Sequence, residues 1–245
     1  MKQILSLLFV SFSISALAQG DEFEWKEASK ESQAYHEYRI KSTTPPYGLG
    51  KVQGLIKKIK WNDEDETEAM DKKTYDALSL REKFTYTMIH PESYSQNCDA
   101  MPPIQDEQKK IFAYIANAFD EYAWSERQRD FLTANRDSVM ALIKESVTRS
   151  KRMGANYKQA IVEMNAKEMV PFLIDTYKAN KKDKDILTLL MQLMKDNEYK
   201  PFLSSASYQK LYSDDASYQA YLDYNTASEE LIIKRATEFY NGLAK

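Results

Sequence analysis

The chain has 245 residues, 34 basic and 37 acidic, for a formal net charge of -3. That balance lacks the basic stripe a nucleic-acid surface needs, so nucleic acid is not expected as a partner. Six glycines, seven prolines and a single cysteine argue against a turn-rich β protein and rule out an intramolecular disulfide; fold stability must come from packing.

The first 18 residues have the layout of a secretory signal peptide. Lys2 supplies a positive start, Ile4 to Ile14 an apolar run broken only by serines, and Ala16-Leu17-Ala18 a small-x-small cleavage site before Gln19. The run is shorter than the ~20 apolar residues of a membrane span. Cleavage after Ala18 would remove Lys2 and leave about 227 residues with 33 basic and 37 acidic side chains. The expected location is the periplasm or the exterior, with no integral membrane segment after cleavage.

Residues 19–70 form a leader expected to pack on the rest. Ala28 to Tyr38 could be an amphipathic helix. Pro45-Pro46 forbid a regular helix next, and Gly48, Gly50 and Gly54 concentrate half of the chain's glycines in seven residues. Two readings fit that segment. It is a tight turn into a short helix carrying Val52, Leu55, Ile56 and Ile59, or a loop whose backbone approaches a small ligand, with Tyr47, Gly48, Gly50 and Lys51 as contacts. It is not a phosphate loop, because the spacing is wrong and Val52 stands where a hydroxyl is needed.

From Asp71 to the end the pattern predicts helices. Ser79-Leu80-Arg81-Glu82 is a capping box, and Pro91 ends that helix at His90. His90 to Pro103 reads as an irregular connection. Asp106 is expected to open a helix whose stripe is Ile111, Phe112, Ile115, Ala118, Phe119 and Tyr122. Ser125 begins another capping box, with a break at Asn135, and Gly154 stops the helix that follows. Further helices are expected over Tyr157 to Met164, after Asn165 and over Ile186 to Met194, the last apolar on more than one side and so central. Thr226 to Glu229 caps the final helix, expected to fray at Asn241-Gly242.

Glu168-Met169-Val170-Pro171-Phe172-Leu173 and Glu198-Tyr199-Lys200-Pro201-Phe202-Leu203 share four residues at a spacing of 30. With short polar loops and early prolines, Ser125 to Leu203 resembles a short α-solenoid of HEAT-like helix pairs. The fold class is all-α: either that solenoid or an irregular helical bundle, preceded by the Pro/Gly-containing leader.

Chemistry-bearing residues are sparse. Cys98 and His90 share one connection with Glu92, Asn97 and Asp99, so a thiolate with His90 as base is conceivable. The simpler reading is a structural cysteine and a histidine that ends a helix. Two histidines and one cysteine cannot build a Cys/His zinc site. His36-Glu37 is only a fragment of a His-Glu-x-x-His motif, and Asp63 to Glu66 lacks the glycine of a calcium loop, so no metal or cofactor is expected. Glu107, Asp120, Glu121 and Glu126 offer no preferred acid pair. Tyr208, Tyr212, Tyr218, Tyr221 and Tyr224 could face a partner or layer over helices. The function expected is a non-catalytic interaction or scaffold module that meets another envelope or extracellular protein through an aromatic or tyrosine-lined groove. A Cys98–His90 hydrolase or transferase and a ligand binder at Gly48 to Gly54 are the alternatives.

Overall fold

The computed structural model describes residues 27–96 and 102–243. The expected signal segment Met1–Ala18 and the candidate nucleophile Cys98 lie outside those residues. The described chain is mostly helical, with four short strands.

The leader contributes two helices. Ser29 caps the first, α1 (Lys30–Ile40), and Ser32, Tyr35 and Arg39 form its buried face. Gly48 sits in the left-handed region at φ 61° and launches α2 (Leu49–Ile56). Val52 of α2 meets Met70, Tyr75, Leu78 and Tyr86 in a small second core. Tyr75 belongs to α3 (Lys72–Asp76) and Tyr86 to α4 (Leu80–Ile89), whose Ser79–Glu82 capping box is formed on both sides.

After His90 the chain turns into β1 (Ser93–Tyr94), which pairs antiparallel with β3 (Tyr122–Ala123). Between them lies β2 (Lys110–Phe112), paired antiparallel with β4 (Tyr221–Asp223). The helix expected from Asp106 is therefore replaced by one 3-10 turn (Glu107–Lys109), strand and connection. The cause is non-local. Ala113 N donates to Ala220 O at 2.8 Å, and Tyr224 N donates to Lys109 O at 2.8 Å. The Thr188 hydroxyl donates to Phe112 O and the Tyr212 hydroxyl to Ala113 O. These bonds satisfy the backbone across the chain, and buried Ile111, Phe112 and Ala113 fill a slot that a helix would not fit.

Six helices follow nearly where capping chemistry puts them: α5 (Glu126–Ala134), α6 (Arg136–Ser150), α7 (Ala155–Glu163), α8 (Val170–Ala179), α9 (Asp185–Asp196) and, after two short ones, the last. The short ones are α10 (Lys200–Leu203) and α11 (Ala206–Tyr212); the last, α12 (Thr226–Leu243), is capped by Asn225 rather than Thr226, with Asn225 Oδ1 accepting from Ser228 N. It stays helical through Asn241-Gly242. Helix α6 ends at Ser150 with Lys151 in the left-handed region, four residues before the glycine expected to stop it. Gly154 does other work. A Cβ there would lie 2.2 Å from Thr43 N, so only glycine lets the leader backbone cross the start of α7.

Helix α9 is the hub. Every residue from Asp185 to Met194 is buried, against α7, α8, α10, α12 and β2. Each of its buried Leu or Met side chains contributes roughly 1.5–3 kcal/mol of transfer free energy. The two Pro-Phe-Leu segments start helices of unlike length, ten residues in α8 and four in α10. The left-handed residues that precede them, Asn165 and Glu198, are 33 apart rather than 30.

Charges are buried with their partners. Arg39 stacks 3.8 Å from the centre of the Phe112 ring and donates to Glu107 at 2.7 Å and Asp185 at 2.8 Å. Lys158 donates to Asp183 at 2.5 Å, with Asp185 3.8 Å away. His36 reaches Glu107 at 3.1 Å from the rim of this network. Burial alone would raise the Glu107 carboxyl, but the His36 and Arg39 bonds outweigh it and hold the group below its ordinary range. Burial pushes the Asp183 carboxyl up, and Lys158 offsets only part of that. The network pins α1 to α7, α9 and the Glu107 turn, so the leader is fixed to the body by charge as well as by packing.

Candidate cleft between α7, α9 and the β2–β3 connection

A cleft of about 480 Å³ opens where the β2–β3 connection passes over α5, α7 and α9. That size falls within the roughly 300–1,000 Å³ of small-molecule sites. Tyr114, Phe119, Tyr122 and Trp124 supply aromatic surface; Asn117, Gln159 and Gln192 supply carboxamides. Asp120, Glu163 and Arg129 are its charged members, and Ser95 and Gln96 close one side.

The wall is built by local hydrogen bonding. Asp120 takes left-handed backbone angles, φ 54°. Asn117 braces the turn, its Nδ2 donating to Asp120 O at 2.8 Å and its Oδ1 accepting from Phe119 N at 3.1 Å. Gln159 of α7 accepts from Ala118 N at 3.1 Å and donates to Asn117 Oδ1 at 3.2 Å, tying connection to helix. Trp124 is buried, donates from Nε1 to Thr87 O at 2.8 Å, and meets Phe119 edge to face at 5.2 Å. Arg129 spends one Nη1 bond on Trp124 O. Tyr114 is the opposite case: 42% exposed, its ring held edge-on against Tyr212 at 5.6 Å.

Gln192 is the decisive residue. It projects from the hub helix, is 7% exposed and lines the cleft, and its Oε1 has no hydrogen-bond partner. Five other buried side-chain atoms among the described residues share that lack, but none of those residues lines this cleft. A buried unpaired acceptor costs about 1–3 kcal/mol. One turn earlier on α9, Thr188 is fully buried and spends its hydroxyl on Phe112 O. The hub thus carries two uncharged polar residues four apart; the fold uses the Thr188 hydroxyl, and Gln192 lines the cleft with its buried Oε1 unpaired.

Of the residues singled out from the sequence for chemistry, Asp120 lines the cleft and the other described ones lie elsewhere. His90 is 9% exposed, and its Nε2 lies 2.6 Å from Glu68 O. A carbonyl only accepts, so that nitrogen carries the proton and is committed to the fold. Tyr47 is buried, with its hydroxyl donating to Leu142 O and its carbonyl accepting from Thr85. Gly50 lies inside α2, and Lys51 pairs with Glu82 at 2.9 Å. Glu107 is locked in the buried ionic network, whereas Asp120 is on the cleft. Of the tyrosine run, Tyr208 and Tyr212 pack edge-on against Phe202.

Sequence reasoning missed the cleft because residues 110–122 read as one helix. A signal was present: Gln192 interrupts the apolar run from Ile186 to Met194, and Asn117 and Asp120 are turn formers inside the supposed helix. The described lining carries no His or Cys; its titratable side chains are Asp120, Glu163, Arg129, Tyr114 and Tyr122. Among the described residues no cluster of three or more His, Cys, Asp or Glu could hold a metal, and no helix is long and apolar enough to cross a membrane. No known protein family, curated protein or solved structure matches this chain.

Proposed function

We propose that the chain is an exported binding module that performs no reaction of its own and seats its ligand in the cleft beside Gln192. The observation that carries this reading is the unpaired, buried Gln192 Oε1 on the wall of an aromatic cleft. Folding gains nothing from such an atom; a bound donor would satisfy it. The cleft also has the aromatic, tyrosine-lined character expected of an interaction module, although Tyr114 and Tyr122 supply it rather than the run from Tyr208 to Tyr224. The signal-peptide layout of Met1 to Ala18 assigns the module to the periplasm or the exterior, and its partner to the envelope or the extracellular space. We read the helices as an irregular bundle around α9 rather than stacked pairs, because α9 is covered by α7, α8, α10 and α12 together.

The test is a fragment screen followed by nitrogen-15 NMR, with the Ala118 amide and the Trp124 indole N–H as reporters. Binders that converge on those two signals support the reading. Fragments that scatter over other surfaces, or turnover of a small substrate by the purified protein, would contradict it.

A further inference from the structure

We propose that this cleft recognises an uncharged saccharide, held by ligand hydroxyls donating to Gln192, Glu163 and Asp120 and by contact of a sugar face with Tyr114. The inference rests on the reading of the cleft as a binding seat and names its occupant. It replaces the protein partner expected from sequence with a glycan.

The lining is rich in acceptors. Gln192 Oε1 is buried and unpaired, and Asp120 and Glu163 add two carboxylates. Arg129, the cationic member, already spends one donor on Trp124 O. With the remaining Arg129 donors beside these acceptors, a complementary ligand both donates and accepts. Hydroxyls are donors without charge, and planar carboxamides and carboxylates match the spacing of neighbouring hydroxyls on a ring. The exposed Tyr114 ring, braced by Tyr212, offers the flat apolar surface that the C–H face of a sugar covers.

The competing ligands fit less well. Two carboxylates against one guanidinium repel phosphate and sulfate groups, which excludes nucleotides and polyanionic glycans. A peptide added as a strand needs a free edge with several backbone groups. Strand β3 is two residues long, and Ser93 of β1 already pairs with Ala123 on one side and bridges Thr67 on the other. A cationic amine would suit the acidic pair, but Arg129 lines the same space.

The experiment uses the mature protein and an array of neutral gluco-, galacto- and manno-oligosaccharides, their amino-substituted counterparts, and unstructured peptides. Calorimetry then compares the strongest neutral glycan on wild type, Gln192→Met and Tyr114→Ala. Neutral glycans should bind. Gln192→Met keeps the shape and removes the acceptor, and should weaken binding at least about tenfold, the effect of one lost buried hydrogen bond. Tyr114→Ala, at an exposed position, should weaken it similarly with no change in melting temperature. No binding by any neutral glycan, or binding indifferent to both substitutions, overturns the inference. Should only amino-substituted glycans or peptides bind at the cleft, the saccharide assignment falls and the binding-module reading stands. Should nothing reach the cleft reporters at all, both fall.

Discussion

Replacing Lys158 with methionine tests whether the buried ionic network holds the leader to the body. The Lys158 and Asp183 side chains are 2% and 3% exposed and meet at 2.5 Å. Methionine keeps most of the volume and removes the charge. It leaves Asp183 and Asp185 buried, with Arg39 bonded to Asp185 alone of the two. Breaking a buried pair from one side costs about 3–5 kcal/mol, because the abandoned ion stays out of water. Against a total stability of roughly 5–15 kcal/mol that is a large fraction. Urea unfolding followed by circular dichroism would read the loss as a lower midpoint at unchanged slope. The pH dependence has a definite sign. Burial raises the Asp183 carboxyl above its ordinary value of 3.8 in the folded state. Its stabilising contribution is complete below that value and is lost as pH rises through the folded one. The variant's deficit should therefore be largest at neutral pH and shrink on acidification, as the abandoned carboxyl takes up a proton. Lys158→Met/Asp183→Asn should recover most of the loss. A deficit below about 1 kcal/mol, a deficit independent of pH, or a double variant no better than the single would refute the reasoning.

Glu107 responds in the opposite direction: its folded carboxyl lies below the ordinary 4.5, so its contribution is present above that pH and lost below. The stability gap between wild type and Glu107→Gln should narrow as pH falls from about 5 to 3 in urea titrations; a constant gap would deny the carboxylate that role. Gly154→Ala should cost about 3 kcal/mol or more in thermal melts, since its Cβ would strike the Thr43 backbone. Gly50→Ala, where a Cβ meets open space inside α2, should be stabilising by roughly 0.5–1 kcal/mol. Equal effects at the two sites would contradict the packing described. The Ala113 and Tyr224 amides, bonded across β2 and β4, should exchange with deuterium far more slowly than exposed loop amides; fast exchange would restore the helix reading of residues 110–122.

Most helix boundaries could be read from local chemistry. The Ser79 and Ser125 capping boxes, the Pro91 stop and the Asn135 break all act within a few residues, and all are present. The largely apolar character of Ile186 to Met194, broken only by Thr188 and Gln192, marked the hub for the same reason. Residues 110–122 misled because their stripe fits a helical period, while the deciding bonds come from Ala220 and Tyr212, about a hundred residues away. Charge burial was equally hidden. Arg39, Lys158, Asp183 and Asp185 look like surface residues until three separate segments bring them together. The cleft shares that origin: its wall is the misread connection, and Gln192 gains meaning only once that connection lies beside it.

The central claim is that Gln192 is kept for a ligand and not for the fold, and the melting temperature of Gln192→Met tests it without knowledge of the ligand. An unpaired buried acceptor that serves only binding destabilises the empty protein. Removing it should raise the melting temperature by about 2–4 °C, corresponding to roughly 1 kcal/mol in a chain of this size. A fall of similar size would mean that the Gln192 carboxamide supports the structure, and the cleft would lose its claim to be a binding site.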